Sequence, residues 1–221
     1  MQDVDDVLAH SQELLDALHP VYDQSLTAQD AGHKLKPKIK AILGEQRTAL
    51  DYLATGVYSA YGDGSATGPQ VRYPFAKSEK GFDRAIDKTM PGVRAGRPDV
   101  ARAIGRYQRY RPGQEWLKWL NGLRTQSAHA RLIPLVPELG ERYEFTGGLI
   151  VIAPSGATFA HPILGESASI EQLVGVEATY RRSLYLGWRF TDPDRPVLQT
   201  LREIQDGVRV ASGDVCRVAG L

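Results

Sequence analysis

The chain has one cysteine, no long apolar run and no basic residue near its N-terminus. With Cys216 alone among 221 residues, an internal disulfide and a cysteine-rich zinc site are both excluded. No stretch approaches the roughly 20 apolar residues of a membrane-spanning helix. The first ten residues, MQDVDDVLAH, are acidic and lack the basic-then-apolar layout of a signal peptide. We therefore expect a cytoplasmic protein that does not associate with a membrane.

Lysine and arginine are missing from residues 1–30, which carry seven acids, whereas residues 84–131 carry eleven basic residues against three acidic ones. This excess of eight positive charges contrasts with the net charge of +1 for the whole chain. Such polarity predicts a basic surface for an anionic partner, or two oppositely charged faces that meet in an oligomer. The simpler alternative is a set of solvated helix faces.

Apolar residues at helical spacing account for most of the chain up to residue 131. The predicted helices cover residues 3–26 with a kink at Pro20, 37–60, 83–90, 99–110, 115–131 and 195–211. The helix at 115–131 reads EWLKWLNGLRTQSAHAR. Its predicted core stripe consists of Trp116, Leu117, Leu120 and Leu123. We expect both Trp116 and Trp119 to be structural.

From Leu132 the pattern changes to short apolar runs separated by proline and glycine. Strands are predicted at residues 142–145, 149–152, 157–161 and 176–190. Helices and strands are thus segregated along the chain, which predicts an α+β protein. Its predicted parts are a helical bundle (1–131), a small antiparallel β insert (132–191) and a C-terminal helix (192–221) that packs back on the bundle.

Arg124 and His129 form an Arg-x4-His pair at the end of the 115–131 helix. An arginine binds a phosphate through two parallel hydrogen bonds, and a histidine that titrates near neutral pH can transfer the proton of a 2′-hydroxyl. Together they are the minimum for metal-independent RNA cleavage. Their side chains lie about 140° apart on a regular helix, so they converge only at a fraying helix end or across a dimer interface. The alternative is a surface arginine beside a capping or core histidine.

Basic and aromatic residues are interleaved in the same part of the sequence. The candidate nucleic-acid contacts are Arg106, Tyr107, Arg109, Tyr110, Arg111, Lys118 and Arg131. If exposed, such side chains stack on bases and bind phosphates. The other histidines show no spacing typical of a metal site, so neither a metal nor another cofactor is expected.

A longer motif points to a family. The predicted helix at 37–60 contains Arg47-Thr48-Ala49-Leu50-Asp51-Tyr52-Leu53-Ala54, and a Tyr-Pro-Phe segment, a basic helix and Trp-Leu-x-x-Leu-Asn follow it. In this order the sequence resembles uncharacterised bacterial and phage proteins with an R-x-A-L-D-x-L-A helix and a later L-N-x-x-x-K-H-R-like helix. Their helical part is similar to the HEPN superfamily. The resemblance covers about residues 35–135.

Many HEPN proteins are dimeric, metal-independent ribonucleases with an R-x(4–6)-H motif, and others are non-catalytic. The resemblance implies a homodimer that acts on RNA in a bacterial or phage conflict system. In it Arg124 would bind the scissile phosphate, His129 would be the acid and base, and Asp51 would orient His129. Two residues depart from the family pattern, Thr125 after the motif arginine and Ala128 before the histidine, and both weigh against catalysis. A non-catalytic helical binding protein, for a protein or nucleic-acid partner, and an oligomeric scaffold are therefore the alternatives.

Overall fold

The computed structural model describes residues 2–27, 34–128, 135–145, 150–154, 159–160, 167–168 and 180–221. This part of the chain is mostly helical and has a small β component. The predicted combination of a helical bundle with a small antiparallel β part is confirmed. Within these ranges, none of the helices combines the length and the hydropathy that crossing a membrane requires.

The long helices lie where apolar periodicity predicts them, although some of their ends differ, and the short helix α4 was not predicted. They are α1 (Gln2–Thr27), α2 (Leu35–Tyr61), α3 (Glu79–Thr89), α4 (Val93–Gly96), α5 (Pro98–Arg106), α6 (Glu115–Ala128) and α7 (Val197–Ala219). The start of α3 differs from the predicted residue 83, because the Ser78 hydroxyl accepts a hydrogen bond from the Gly81 N–H and caps the helix four residues earlier.

The first helix continues through Pro20, where the sequence predicted a kink. α1 is assigned as one helix from Gln2 to Thr27 with Pro20 inside it. A proline removes only one hydrogen bond of the helix ladder, although its ring also crowds the preceding turn. Leu15, Leu18 and Tyr22 on both sides of it are buried, so packing holds the helix together across this position.

The strands are β1 (Leu135–Phe145), β2 (Ile150–Pro154), β3 (Phe159–Ala160), β4 (Ser167–Ala168), β5 (Tyr180–Thr191) and β6 (Asp194–Pro196). One sheet has the order β2-β1-β5-β6, and β3 pairs with β4. β1 and β2 are antiparallel, with Arg142 opposite Ile152. The last helix was predicted to begin at Arg195, but Arg195 belongs to β6 and α7 begins two residues later.

The chain divides into two compact units, residues 1–134 with 190–221, and residues 135–189. In the first unit α7 packs against α1, α2, α5 and α6, and α2 packs against α1 and α6. The apolar stripe of α7 continues through Ala211, Val215 and Ala219, which are all buried. This continuation explains why α7 extends well beyond residue 211, where the sequence predicted its end.

A buried polar network joins α1, α2 and α7. The Gln205 side chain accepts hydrogen bonds from Ser11 Oγ (2.8 Å) and Gln46 Nε2 (3.2 Å), and its amide donates to the Leu8 carbonyl (3.0 Å). Gln46 Nε2 also donates to the Leu201 carbonyl at 3.0 Å. Buried amides of this kind fix the register of packed helices because a shift leaves their donors and acceptors without partners.

We expect Gln205→Leu to lower the free energy of unfolding by about 2 kcal/mol, because it leaves the Ser11 hydroxyl and the Gln46 amide with fewer partners in a dry interior. The matched control is Gln199→Leu on the exposed side of the same helix, where the expected change is within about 0.5 kcal/mol. Urea denaturation of both variants measures the difference. Equal stability of the two would contradict a stabilising role for the network.

Candidate functional site

The predicted active site contains an ion pair between two residues one turn apart on α2. Arg47 Nε donates to Asp51 Oδ2 at 2.8 Å, and Arg47 Nη2 donates to Asp51 Oδ1 at 2.6 Å. The spacing of four residues places both side chains on one face of the helix, where a two-bond contact between guanidinium and carboxylate forms. Arg47 is only 8% exposed, whereas the Asp51 side chain is 32% exposed, so the guanidinium is buried and its partner keeps some contact with solvent.

The same pair holds the Tyr-Pro-Phe segment against α2. The Tyr73 N–H donates to Asp51 Oδ1 at 2.9 Å, and Arg47 Nη2 donates to the Tyr73 carbonyl at 3.3 Å. The Arg47 guanidinium also lies 4.1 Å from the centre of the Phe75 ring, a favourable cation–π distance. The Asp51 carboxylate, the Tyr73 carbonyl and the Phe75 ring therefore fix the position of Arg47.

Two further arginines lie near this pair. Burial lowers the pKa of Arg47, the Asp51 carboxylate raises it, and the charges of Arg124 and Arg72 lower it further. Arg124 belongs to α6 and Arg72 to the segment before Tyr73, and both are exposed. We call Arg47, Arg72 and Arg124 the arginine cluster. Because a guanidinium stays protonated at any physiological pH, the cluster concentrates positive charge at this point of the surface.

A cleft of about 660 Å³ opens beside the cluster. Its wall is formed by the segment before α3 together with residues of α2 and α3. The polar and aromatic side chains among its lining are Arg47, Gln70, Arg72, Tyr73, Phe75, Lys88 and Thr89, and no described lining residue is acidic. We call this the cationic cleft. Three positive side chains around one hollow favour an anionic ligand over a neutral or cationic one.

The predicted catalytic residues are only partly described. Arg124 lies on the exposed side of α6, near enough to Arg47 for their charges to interact. Asp51 lies on α2, where both carboxylate oxygens accept hydrogen bonds from Arg47 or from the Tyr73 N–H. His129 lies outside the described residues, so its pairing with Arg124 and its orientation by Asp51 stay predictions.

The predicted nucleic-acid contacts form a less basic surface than their sequence implies. Arg106 Nη2 lies 2.9 Å from Asp214, and Arg111 Nη2 lies 2.9 Å from Glu79. Both acids come from outside residues 84–131, so they cancel charge that the sequence assigned to a basic surface. Arg111 also lies 5.0 Å from the centre of the Tyr110 ring.

The other residues predicted to contact nucleic acid differ in how far they are exposed. Tyr107 and Arg109 are half-buried, Lys118 is exposed, and Arg131 lies outside the described residues. Trp116 is 6% exposed, which confirms its predicted structural role. Trp119 is half-buried, and the Arg195 guanidinium lies 4.1 Å from the centre of its ring.

Sequence reasoning named Asp51 as a site residue but missed Arg47, Arg72 and Lys88. The spacing of Arg47 and Asp51, four residues apart on one helix, could have identified Arg47 as the partner of Asp51. Arg72 and Lys88 join the site only because the Tyr-Pro-Phe segment folds between α2 and α3, and no spacing within the sequence encodes that contact.

In the part of the chain that the structure describes, no three His, Cys, Asp or Glu side chains are grouped as metal ligands. The site thus consists of a part-buried arginine–carboxylate pair, two exposed arginines near it and an open cleft. Comparison with protein-family models, curated proteins and solved structures gives no match to this chain.

Proposed function

We propose that this chain is an RNA-directed, HEPN-like protein of a bacterial or phage conflict system, and that it is a metal-independent endoribonuclease. The proposal depends on the position of Arg124. Because α6 packs against α2, the charge of Arg124 acts on Arg47, which lines the cationic cleft. A concentration of arginines next to an open cleft suits a phosphodiester chain, whose affinity for proteins comes mainly from phosphate contacts.

The proposed reaction is an attack of the RNA on its own backbone. Arg124 binds the non-bridging oxygens of the scissile phosphate. His129 removes the proton of the 2′-hydroxyl, O2′ attacks phosphorus, and the bond from phosphorus to O5′ breaks. The departing oxygen takes a proton from water, so the products are a 2′,3′-cyclic phosphate and a 5′-hydroxyl. The role of Asp51 in this scheme is to hold Arg47, and through it the positive field at the phosphate.

The test is cleavage of a random-sequence RNA pool by purified protein in EDTA. We expect His129→Ala and Arg124→Ala each to lower the cleavage rate at least about a hundredfold, the usual contribution of one acid–base or phosphate-binding group. Arg209→Ala is the matched control, since Arg209 is an exposed arginine of α7 that does not line the cleft. It should cleave at the wild-type rate. Wild-type rates in a folded His129→Ala protein would contradict the proposal.

The second candidate is a non-catalytic binding protein that uses the same surface. It is favoured by the cationic cleft itself, which attracts phosphates without any chemistry, and by the engagement of both Asp51 oxygens with Arg47 and Tyr73. Steep salt dependence of RNA binding, with no cleavage by the wild-type chain, would support this candidate.

A further inference from the structure

We propose that the cationic cleft is a subsite for one nucleotide of an RNA strand, in which Arg47, Arg72 and Lys88 bind the phosphate and Phe75 borders the nucleoside. The inference rests on the proposed function for the choice of RNA, and it adds a binding position that is separate from Arg124 and His129. A free nucleotide offers the same phosphate, sugar and base as one nucleotide of a strand. The competition experiment below distinguishes a free nucleotide from an RNA strand as the ligand.

Arg47 has a donor group available to such a ligand. Its Nε and Nη2 are used by Asp51 and the Tyr73 carbonyl, whereas no hydrogen bond to a described residue involves Nη1. The side chain is held from three directions, so it loses little further freedom when it binds. A buried, pre-oriented guanidinium that lines an open cleft is suited to binding one phosphate oxygen.

The remaining charges of the cleft come from exposed side chains. Lys88 lines the cleft from α3, is exposed, and makes no ion pair with a described residue. Arg72 lines it from the opposite segment, and its charge already acts on Arg47. Asp51 pairs with Arg47, and none of the described residues that line the cleft is acidic. An anion in the cleft would be attracted by the cations of its lining, which is a source of binding free energy that a neutral ligand does not have.

The size and the walls of the cleft indicate a nucleotide and not a phosphate alone. A volume of about 660 Å³ lies within the usual range for small-molecule sites and exceeds the need of one phosphate. Pro74 and Phe75 form an apolar part of the lining next to the charged part. A sugar or base can lie against this apolar part while the phosphate contacts the cations.

The test measures binding of a labelled 2′-O-methyl octaadenylate, which the proposed reaction cannot cleave because it lacks free 2′-hydroxyls. We expect Lys88→Gln and Arg72→Gln each to weaken binding about tenfold at near-physiological salt. Each should also reduce the slope of log affinity against log salt by about 0.7, the value for one phosphate contact on a single strand. Both residues are exposed, so thermal melts should be unchanged.

Two matched controls use the same substitutions outside the cleft. Lys80→Gln lies on the same helix as Lys88, and Arg209→Gln lies on α7; neither residue lines the cleft. Both should keep affinity within twofold of wild type. Affinity losses that are equal in the controls and in the cleft variants would overturn the proposal, because they would show a diffuse charge effect only.

Competition against the labelled strand identifies the ligand. Adenosine 5′-monophosphate should displace it, while adenosine should not and inorganic phosphate should do so only at far higher concentration. Displacement by the monophosphate at a concentration close to that of the strand would assign the cleft to free nucleotides. Equal displacement by adenosine, or by inorganic phosphate, would overturn the nucleotide subsite.

The binding test of the subsite does not depend on whether the protein cleaves RNA. If the wild-type chain cleaves no RNA but the cleft variants lose affinity as stated, the ribonuclease proposal fails and the subsite stands. If cleavage is present and the cleft variants bind the probe as the wild type does, the subsite fails and the ribonuclease proposal stands.

Discussion

Replacing Asp51 by alanine should lower the free energy of unfolding by about 3 kcal/mol. The substitution leaves the Arg47 guanidinium buried without its counter-charge, and breaking one side of a buried ion pair is usually strongly destabilising. We take the lower end of the usual range because the Asp51 side chain is 32% exposed and water partly screens the pair. Urea denaturation followed by circular dichroism gives the value.

The matched control is Asp87→Ala, which removes the partner of Arg94. Both side chains of that pair are about half exposed, so its loss should change stability by less than about 1 kcal/mol. A second variant, Asp51→Ala combined with Arg47→Met, should recover part of the lost stability because no charge then stays buried. If Asp51→Ala lowers the free energy of unfolding no more than Asp87→Ala does, the Arg47–Asp51 pair does not stabilise the site.

Two glycines of α7 should respond to alanine in opposite directions. A methyl group at Gly207 would overlap the ring of Trp116, which is buried and donates its Nε1–H to Gln114 Oε1 at 2.7 Å. The ring is thus poorly able to move, and we expect Gly207→Ala to lower the free energy of unfolding by about 2 kcal/mol.

Gly213 lies on the same helix, and a methyl group there would have no atom within 4 Å. Alanine is the better helix former, so Gly213→Ala should raise the free energy of unfolding by about 0.5–1 kcal/mol. Thermal denaturation of the two variants therefore tests the contact between α6 and α7 with helix propensity held constant. A stabilising Gly207→Ala would show that Trp116 does not pack against this helix.

The helical core was predictable because its signal is periodic and local. On α2 a stripe at helical spacing is buried at every position: Ile39, Ile42, Leu43, Gln46, Leu50, Leu53 and Val57. The four residues of the predicted stripe of α6 are buried as well. The end of α7 was missed because its last turns bury mainly small residues such as Ala211 and Ala219, which give a weak apolar signal.

The site was less predictable because it depends on contacts between distant parts of the chain. The motif that named Asp51 also contains Arg47, but only the folded chain shows that the two bond to each other and to Tyr73. In the same way Asp214, near the C-terminus, pairs with Arg106 and reduces the charge of a surface that looked strongly basic. A charge count along the sequence cannot include such long-range pairs.

The most direct test of the central claim uses a random-sequence RNA pool and a DNA pool of the same length, both incubated with wild-type protein in EDTA. If Arg124 and His129 act on a phosphate beside the cationic cleft, RNA alone is cut, and every new end is a 2′,3′-cyclic phosphate or a 5′-hydroxyl. Intact RNA after incubation with folded protein, or equal cutting of DNA, would contradict it.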